Sequence, residues 1–133
     1  MNARSSVSHI RVRFAETDKF GAAYHGAYFA WFEVGRTDWL RERGMTYVDL
    51  MARDVHLPVI ATEARFLRPV AYDDRIEIST TLADVTGVRL LFDYELRLEG
   101  ETETLTRAHT EHASVDGSGR PRRFPDDILR LLK

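Results

Sequence analysis

The chain opens on polar residues, and a regular alternation of apolar and polar positions sets in at Ser8. Ile10, Val12 and Phe14 fall on one side of it, with His9, Arg11 and Arg13 on the other, the pattern of a half-buried strand. Residues 1–7 show no such pattern and are expected to fray. The period then changes. From Gly26 to Arg43, Tyr28, Phe32, Gly35 and Trp39 recur at helical spacing. Ala27, Ala30, Trp31 and Val34 widen the apolar surface enough to predict a buried helix. Arg41 and Arg43 suit the negative end of its dipole, and Gly44 suits a left-handed cap. Thr46 is placed to cap a short second helix reaching Asp54.

Beyond that helix the period is two. Residues 57–70 form an extended run closed by Pro69. Ile76, Ile78, Thr80 and Leu82 share one face of 75–85, and Val88, Leu90, Phe92, Tyr94, Leu96 and Leu98 share one face of 88–98. Gly100 marks a turn, 103–115 is a Thr-rich strand, and a short helix is expected over 126–132. The links between the last four strands are of hairpin length, which makes those strands antiparallel. One long helix and a five-stranded sheet bury their apolar faces on each other, an α+β layer architecture. A single helix covers only one face of such a sheet, so the other face, or an edge, is expected to meet another subunit.

Composition narrows the function. A chain of 133 residues, 44% hydrophobic and 30% charged, is expected to form one soluble domain spanning 1–133. A net charge of −2 provides no general field for nucleic acid or an anionic membrane, so an anionic ligand must be captured locally. The absence of cysteine excludes disulfides and thiolate chemistry. With no leader-like apolar segment at the N-terminus and no run long enough to span a bilayer, the expected location is cytoplasmic.

The chemistry concentrates in ETDKFGAAYHGAYFAWFEVGR, residues 16–36. Two carboxylates, Glu16 and Asp18, stand in a loop with Gly21 as its turn residue, just before the long helix. The free amides of the first helical turn, from about His25 through Gly26 to Phe29, can bind developing negative charge. A carboxylate beside such a helix end is what acyl-transfer hydrolysis requires. Taken alone, Thr17 and Asp18 also fit a solvated turn.

The segment resembles the active-site signature of the 4-hydroxybenzoyl-CoA thioesterase family, most closely its YbgC-like branch. The matching positions are Glu16, Thr17, Asp18, Gly21, Tyr24 and His25, then Tyr28, Glu33 and Arg36; LPV (57–59), AYDD (71–74) and PRRFP (121–125) extend the likeness over nearly the whole chain. The resemblance implies a hotdog fold, a long central helix wrapped by a curved five-stranded antiparallel sheet, paired as dimers that often form tetramers with interfacial sites. It implies hydrolysis of a small acyl-CoA, with coenzyme A entering only as part of the substrate and no metal or other cofactor. Asp18 takes the place of the general base or nucleophile, and His25 that of a histidine implicated in catalysis. Phe14 stands where relatives often carry Tyr, so a supporting phenol hydroxyl is missing, and Ala22-Ala23 stand where bulkier Val is common, so a differently shaped acyl pocket is expected.

Arg122 and Arg123, in the loop GRPRRFP (119–125), suit the phosphates of coenzyme A through forked hydrogen bonds, although a solvated loop fits them equally. Arg89 matches a region that meets coenzyme A in relatives. Val59 lies in the 57–62 run, the first place to look for a contact donated across a subunit interface. His109, Glu111 and His112 look like metal ligands, but alternation separates His112 from the other two, and a surface strand is the expectation. Two rivals are a hotdog dehydratase or hydratase, which needs a His and an acid placed at a β-hydroxyacyl group, and a non-catalytic acyl-CoA-binding or scaffold protein.

Overall fold

The long helix lies across one face of a five-stranded antiparallel sheet in a computed structural model that describes residues 4–133. In chain order the elements are β1 (Ser5–Arg11), a 3₁₀ turn (Phe14–Glu16), α1 (His25–Glu42), α2 (Tyr47–Ala52), β2 (Val59–Phe66), β3 (Arg75–Val85), β4 (Arg89–Leu98), β5 (Thr106–Ala113) and α3 (Asp126–Leu132). The sheet order is β1-β3-β4-β5-β2. The short link between β2 and β3 is therefore not a hairpin: it carries the chain from one edge of the sheet back toward the other.

Alternation located the inward faces of β3 and β4 correctly. Ile76, Ile78, Thr80 and Leu82, and Leu90, Phe92, Tyr94 and Leu96, are all buried against α1 and its neighbours. From α1 come Ala27, Tyr28, Trp31, Phe32, Trp39 and Leu40. Phe32 is fully buried and stacks on Tyr94 at 4.7 Å, so its truncation to Ala is worth ~3–5 kcal/mol. Gly35 lets the helix approach closely: a Cβ there would stand 2.3 Å from Thr80 Oγ1. Thr46 caps α2 reciprocally with Asp49.

Four expectations need correction. Strand β1 begins at Ser5, inside the stretch expected to fray; residues 1–3 of that stretch lie outside the described residues. Ser6 and Ser8 are buried beneath α1, so the inward face there is small and polar and gives no hydropathy signal. Phe14 does not continue the inward face: the chain has left the sheet for the 3₁₀ turn, and Phe14 is 76% exposed with its ring edge-on to Tyr72. The helix is not buried all round, because Phe29, Ala30, Glu33 and Val34 face away from the sheet. His112 is 1% exposed rather than on a surface strand. The other sheet face carries Glu63, Asp93, Glu95, Arg107 and His109, a charged surface that α1 does not cover. Among the described residues, no helix is long and apolar enough to cross a membrane.

Candidate active site

Residues 14–25 are held by a clasp built around Glu16. Its Oε1 accepts the amide of Arg13 at 2.8 Å and its Oε2 accepts the indole N–H of Trp31, on α1, at 2.8 Å. Its backbone carbonyl accepts the amide of Tyr24 at 3.1 Å. Burial by itself would raise the Glu16 carboxyl. The Arg13 amide, the Trp31 indole and the Arg13 guanidinium outweigh that effect and hold it below the usual carboxylate range. Glu16 is thus an ionised carboxylate spent on structure.

Asp18, two residues on, is its opposite. The loop closes as a small hairpin through the Thr17–Ala23 bridge, with the Asp18 amide donating to the Ala22 carbonyl at 2.8 Å and Gly21 turning the chain at φ +84°. Asp18 Oδ1 accepts from the amides of Phe20 at 2.8 Å and Ala22 at 3.3 Å. These bonds fix the carboxylate through one oxygen and leave the second turned to an exposed surface.

Helix α1 starts immediately after this hairpin. Tyr24, its N-cap residue, provides no side-chain cap, and its carbonyl takes the amide of Ala27 at 3.0 Å. The amides of His25 and Gly26 have no acceptor within the helix and are donors for a ligand. Gly26 also leaves room for the Tyr24 ring, which a Cβ at position 26 would meet at 2.6 Å. The His25 ring is exposed and edge-on to Tyr24. Beside it a cavity of about 200 Å³ is lined by Ala23, His25, Tyr28, Phe66 and Pro69, with the rings of Tyr28 and Phe66 4.8 Å apart.

The other predicted residues lie elsewhere. In the register of the sheet, Phe66 pairs with Thr106, which pairs with Leu96. Arg89 is seven residue steps back along β4, roughly 24 Å at about 3.4 Å per step. Val59, at the start of β2, pairs with His112 at that far end, and its side chain is exposed. Arg89 is ion-paired with Glu111 at 2.7 Å. Arg122 donates to the carbonyls of Arg123 and Arg53 at 3.1 and 3.3 Å. The Arg123 guanidinium lies against Gly87, in the turn that precedes β4. The chain therefore holds Asp18, His25 and Gly26 together at one end, and Val59, Arg89, Arg122 and Arg123 at the other.

Two features went unread in the sequence. Glu16 stood in the motif without a role, because its partners Arg13 and Trp31 are set by the fold. The buried polar cluster of His112, Thr110, Tyr94 and Arg36 gave a single signal, a histidine on the apolar register of β5.

This site and fold belong to a known class. Residues 12–132 match the thioesterase-like superfamily, and the chain belongs to it; the fold is the hotdog. It is 30% identical over 125 residues to the acyl-CoA thioester hydrolase YbgC of Escherichia coli, covering 93% of this chain and 92% of that one. The acyl-CoA thioesterase YbgC of Haemophilus influenzae is 32% identical over 121 residues, covering 90% and 88%. The crystal structure of the DHNA-CoA thioesterase from Staphylococcus aureus superposes with a TM-score of 0.90 at 28% identity, over 96% of this chain and 87% of that one.

Proposed function

We propose that this protein is an acyl-CoA thioester hydrolase that acts on small aromatic or short aliphatic acyl groups at sites shared between paired subunits. The observation that carries the reading is the helix entrance, where the uncapped amides of α1, the Asp18 carboxylate on the adjoining hairpin and an apolar cavity of about 200 Å³ meet. The cavity takes the acyl group. The amides of His25 and Gly26 donate to the thioester oxygen, whose negative charge grows as the tetrahedral intermediate forms. Asp18 either draws a proton from the attacking water or attacks the carbonyl itself, expelling the coenzyme A thiolate to give an anhydride that water then opens to the free acid and the Asp18 carboxylate. In the first route the C–S bond breaks as the intermediate collapses, and the thiolate leaves with the proton that Asp18 took. His25 orients water or substrate beside it. Coenzyme A enters as part of the substrate, and the steps use only these residues and water.

The separation of the two residue groups supports a paired subunit. Strand β2 is an edge strand with Val59, Ile60 and Phe66 each about 45% exposed, and such an edge invites a second chain. Antiparallel pairing of two β2 strands about a two-fold axis sets the Val59 end of one subunit beside the Phe66 end of the other. Arg89, Arg122 and Arg123 of one subunit then serve the phosphates of a coenzyme A whose thioester lies at the helix entrance of its neighbour. The reading implies a homodimer, or a tetramer built from two, working in the cytoplasm as a single-domain enzyme on a small-molecule substrate, without a nucleic-acid or membrane partner.

The test is release of free thiol from acetyl-, hexanoyl- and benzoyl-CoA, for which a chain without cysteine adds no background. Turnover that disappears in Asp18→Asn is expected. Activity unchanged by that substitution, or no turnover of any ester, overturns the chemistry. A fully active species at the monomer mass of 15.3 kDa overturns the shared site.

A further inference from the structure

A buried line of hydrogen bonds runs from Tyr94 on β4 to the chain that enters β2, and it has one direction only. At one end the Nδ1 of His112 is 3.0 Å from the carbonyl of Leu57, which can only accept, so that nitrogen carries a proton. At the other end the positive charge of the Arg36 guanidinium faces the hydroxyls of Tyr94 and Tyr47. Between them Tyr94 Oη is 2.6 Å from Thr110 Oγ1, which is 2.8 Å from His112 Nε2. Each hydroxyl has one proton. The Arg36 charge favours the Tyr94 hydroxyl with its oxygen toward the guanidinium and its proton toward Thr110, so the proton of Thr110 goes to His112 Nε2, the bare nitrogen of a ring protonated at Nδ1. A second proton on the imidazole would turn Thr110 round and set the Tyr94 hydroxyl against the guanidinium. Burial, and then the charge of Arg36, act in the same sense and push the imidazole down to about 4, although its bond to Leu57 opposes them. The titratable groups facing the ring through this line are Arg36 from α1, Tyr47 from α2 and Tyr94 from β4. Phe92 packs its ring edge-on.

The far end explains what the line is for. Pro58 has no N–H and cannot donate to the β5 ladder, and the pairing of β2 with β5 is irregular between Val59 and Ala61. Past the reciprocal His56–Val115 backbone bonds, the segment is held by the Ala113 amide donating to the Pro58 carbonyl at 3.3 Å, and by the His112 side chain on the Leu57 carbonyl. We propose that His112 is a positioning residue: a neutral imidazole, protonated at Nδ1, that donates from β5 to the Leu57 carbonyl beside a proline with no N–H to offer, and fixes Leu57–Val59, so that β2 presents Val59 at the subunit edge. The link to Val59 as a substrate wall rests on the function proposed above; the tautomer and the anchoring of the segment do not.

Long-range ¹H–¹⁵N correlation spectra of the full chain decide the first part. The expected result is a single Nδ1–H tautomer of His112 that does not titrate between pH 8 and 5. An Nε2–H tautomer, or titration near 6.5, overturns the proposal whether or not the protein hydrolyses acyl-CoA. The second part uses Thr110→Val, which removes the donor to Nε2 while keeping the shape, with Tyr94→Phe in reserve should that variant fail to fold. The expected results are a titrating His112, faster exchange of the Ala113 amide, and KM for the best ester of the panel raised about fivefold, the size of one ordinary hydrogen bond, at little-changed kcat. Thr110→Ser should restore all three. Unchanged exchange and KM in a variant whose tautomer has been lost would overturn the positioning role. If no ester of the panel is turned over by the parent protein, the function proposed above fails, and the tautomer and exchange results still judge the anchoring.

Discussion

The two ends of the sheet are built in opposite ways. At the helix entrance Asp18 and His25 are exposed, and the carboxylate of Asp18 is held by one oxygen so that the other faces outward. At the far end every arginine of interest already has a contact: Arg89 with Glu111, Arg122 with two carbonyls, and Arg123 with the backbone at Gly87. A group that reacts must be oriented yet left open. A group that grips a phosphate can stay in a surface contact, because exchanging an exposed ion pair for a ligand costs little. On this reading one end governs kcat and the other governs KM.

The sharpest way to break that division is Asp18→Asn. It should leave the melting temperature unchanged and lower kcat by at least about a hundredfold; activity within a few-fold of the parent would end the assignment. Next comes His25→Ala, which keeps the backbone amide and should cost up to roughly 10²-fold, less than Asp18→Asn. A larger loss would make His25 the principal base. At the other end, Arg122→Ala and Arg123→Ala should each raise KM by about tenfold, the scale of one charge-assisted hydrogen bond, with kcat retained. A selective fall in kcat would erase the distinction between the ends.

Glu16→Gln separates structure from chemistry within the entrance itself. Gln cannot accept from both Arg13 and Trp31 as a carboxylate does, so urea unfolding should show a loss of ~1–3 kcal/mol. A loss of activity with no loss of stability would assign Glu16 to the reaction instead. The mildest perturbation is pH. His112 is lowered to about 4 in the folded protein from 6.5, so its contribution to stability is present above 6.5 and is lost as pH falls toward 4. Glu16, also lowered, contributes above its ordinary 4.5 and loses that contribution as pH falls through its folded value. Urea midpoints should decline through the upper window in the parent and much less in His112→Gln. A flat midpoint between 6.5 and 4 in the parent would refute the buried neutral imidazole.

What could be read from the sequence followed periodicity and local chemistry. The inward faces of β3 and β4, the span of α1 to within a residue at each end, and the Thr46 cap all leave marks within a few positions. The loop with two carboxylates before a helix could be read as candidate chemistry in the same way. What escaped depends on contacts distant in the chain. Ser6 and Ser8 are buried because α1 covers them, and the partners of Glu16 and His112 lie on other elements. Alternation carried on past the end of β1, so it placed Phe14 inward when the strand had already stopped. The placing of β2 against β5 rather than β3 is likewise a choice among edges that hydropathy does not encode.

Gly35 gives the molecule a gauge. With a hydrogen where any other residue has a carbon, it sets how near α1 lies to the buried Thr80 of β3. It sits ten residues, about 15 Å, from His25 along a helix of one rigid piece. A methyl group there, 2.3 Å from Thr80 Oγ1, lifts the middle of the helix and tips its first turn relative to Phe66. On the function proposed above, the depth of the pocket for the acyl group then depends on a residue pair that touches no substrate. Positions 35 and 80, varied together, offer a way to rescale the pocket while leaving Asp18 and His25 as they are.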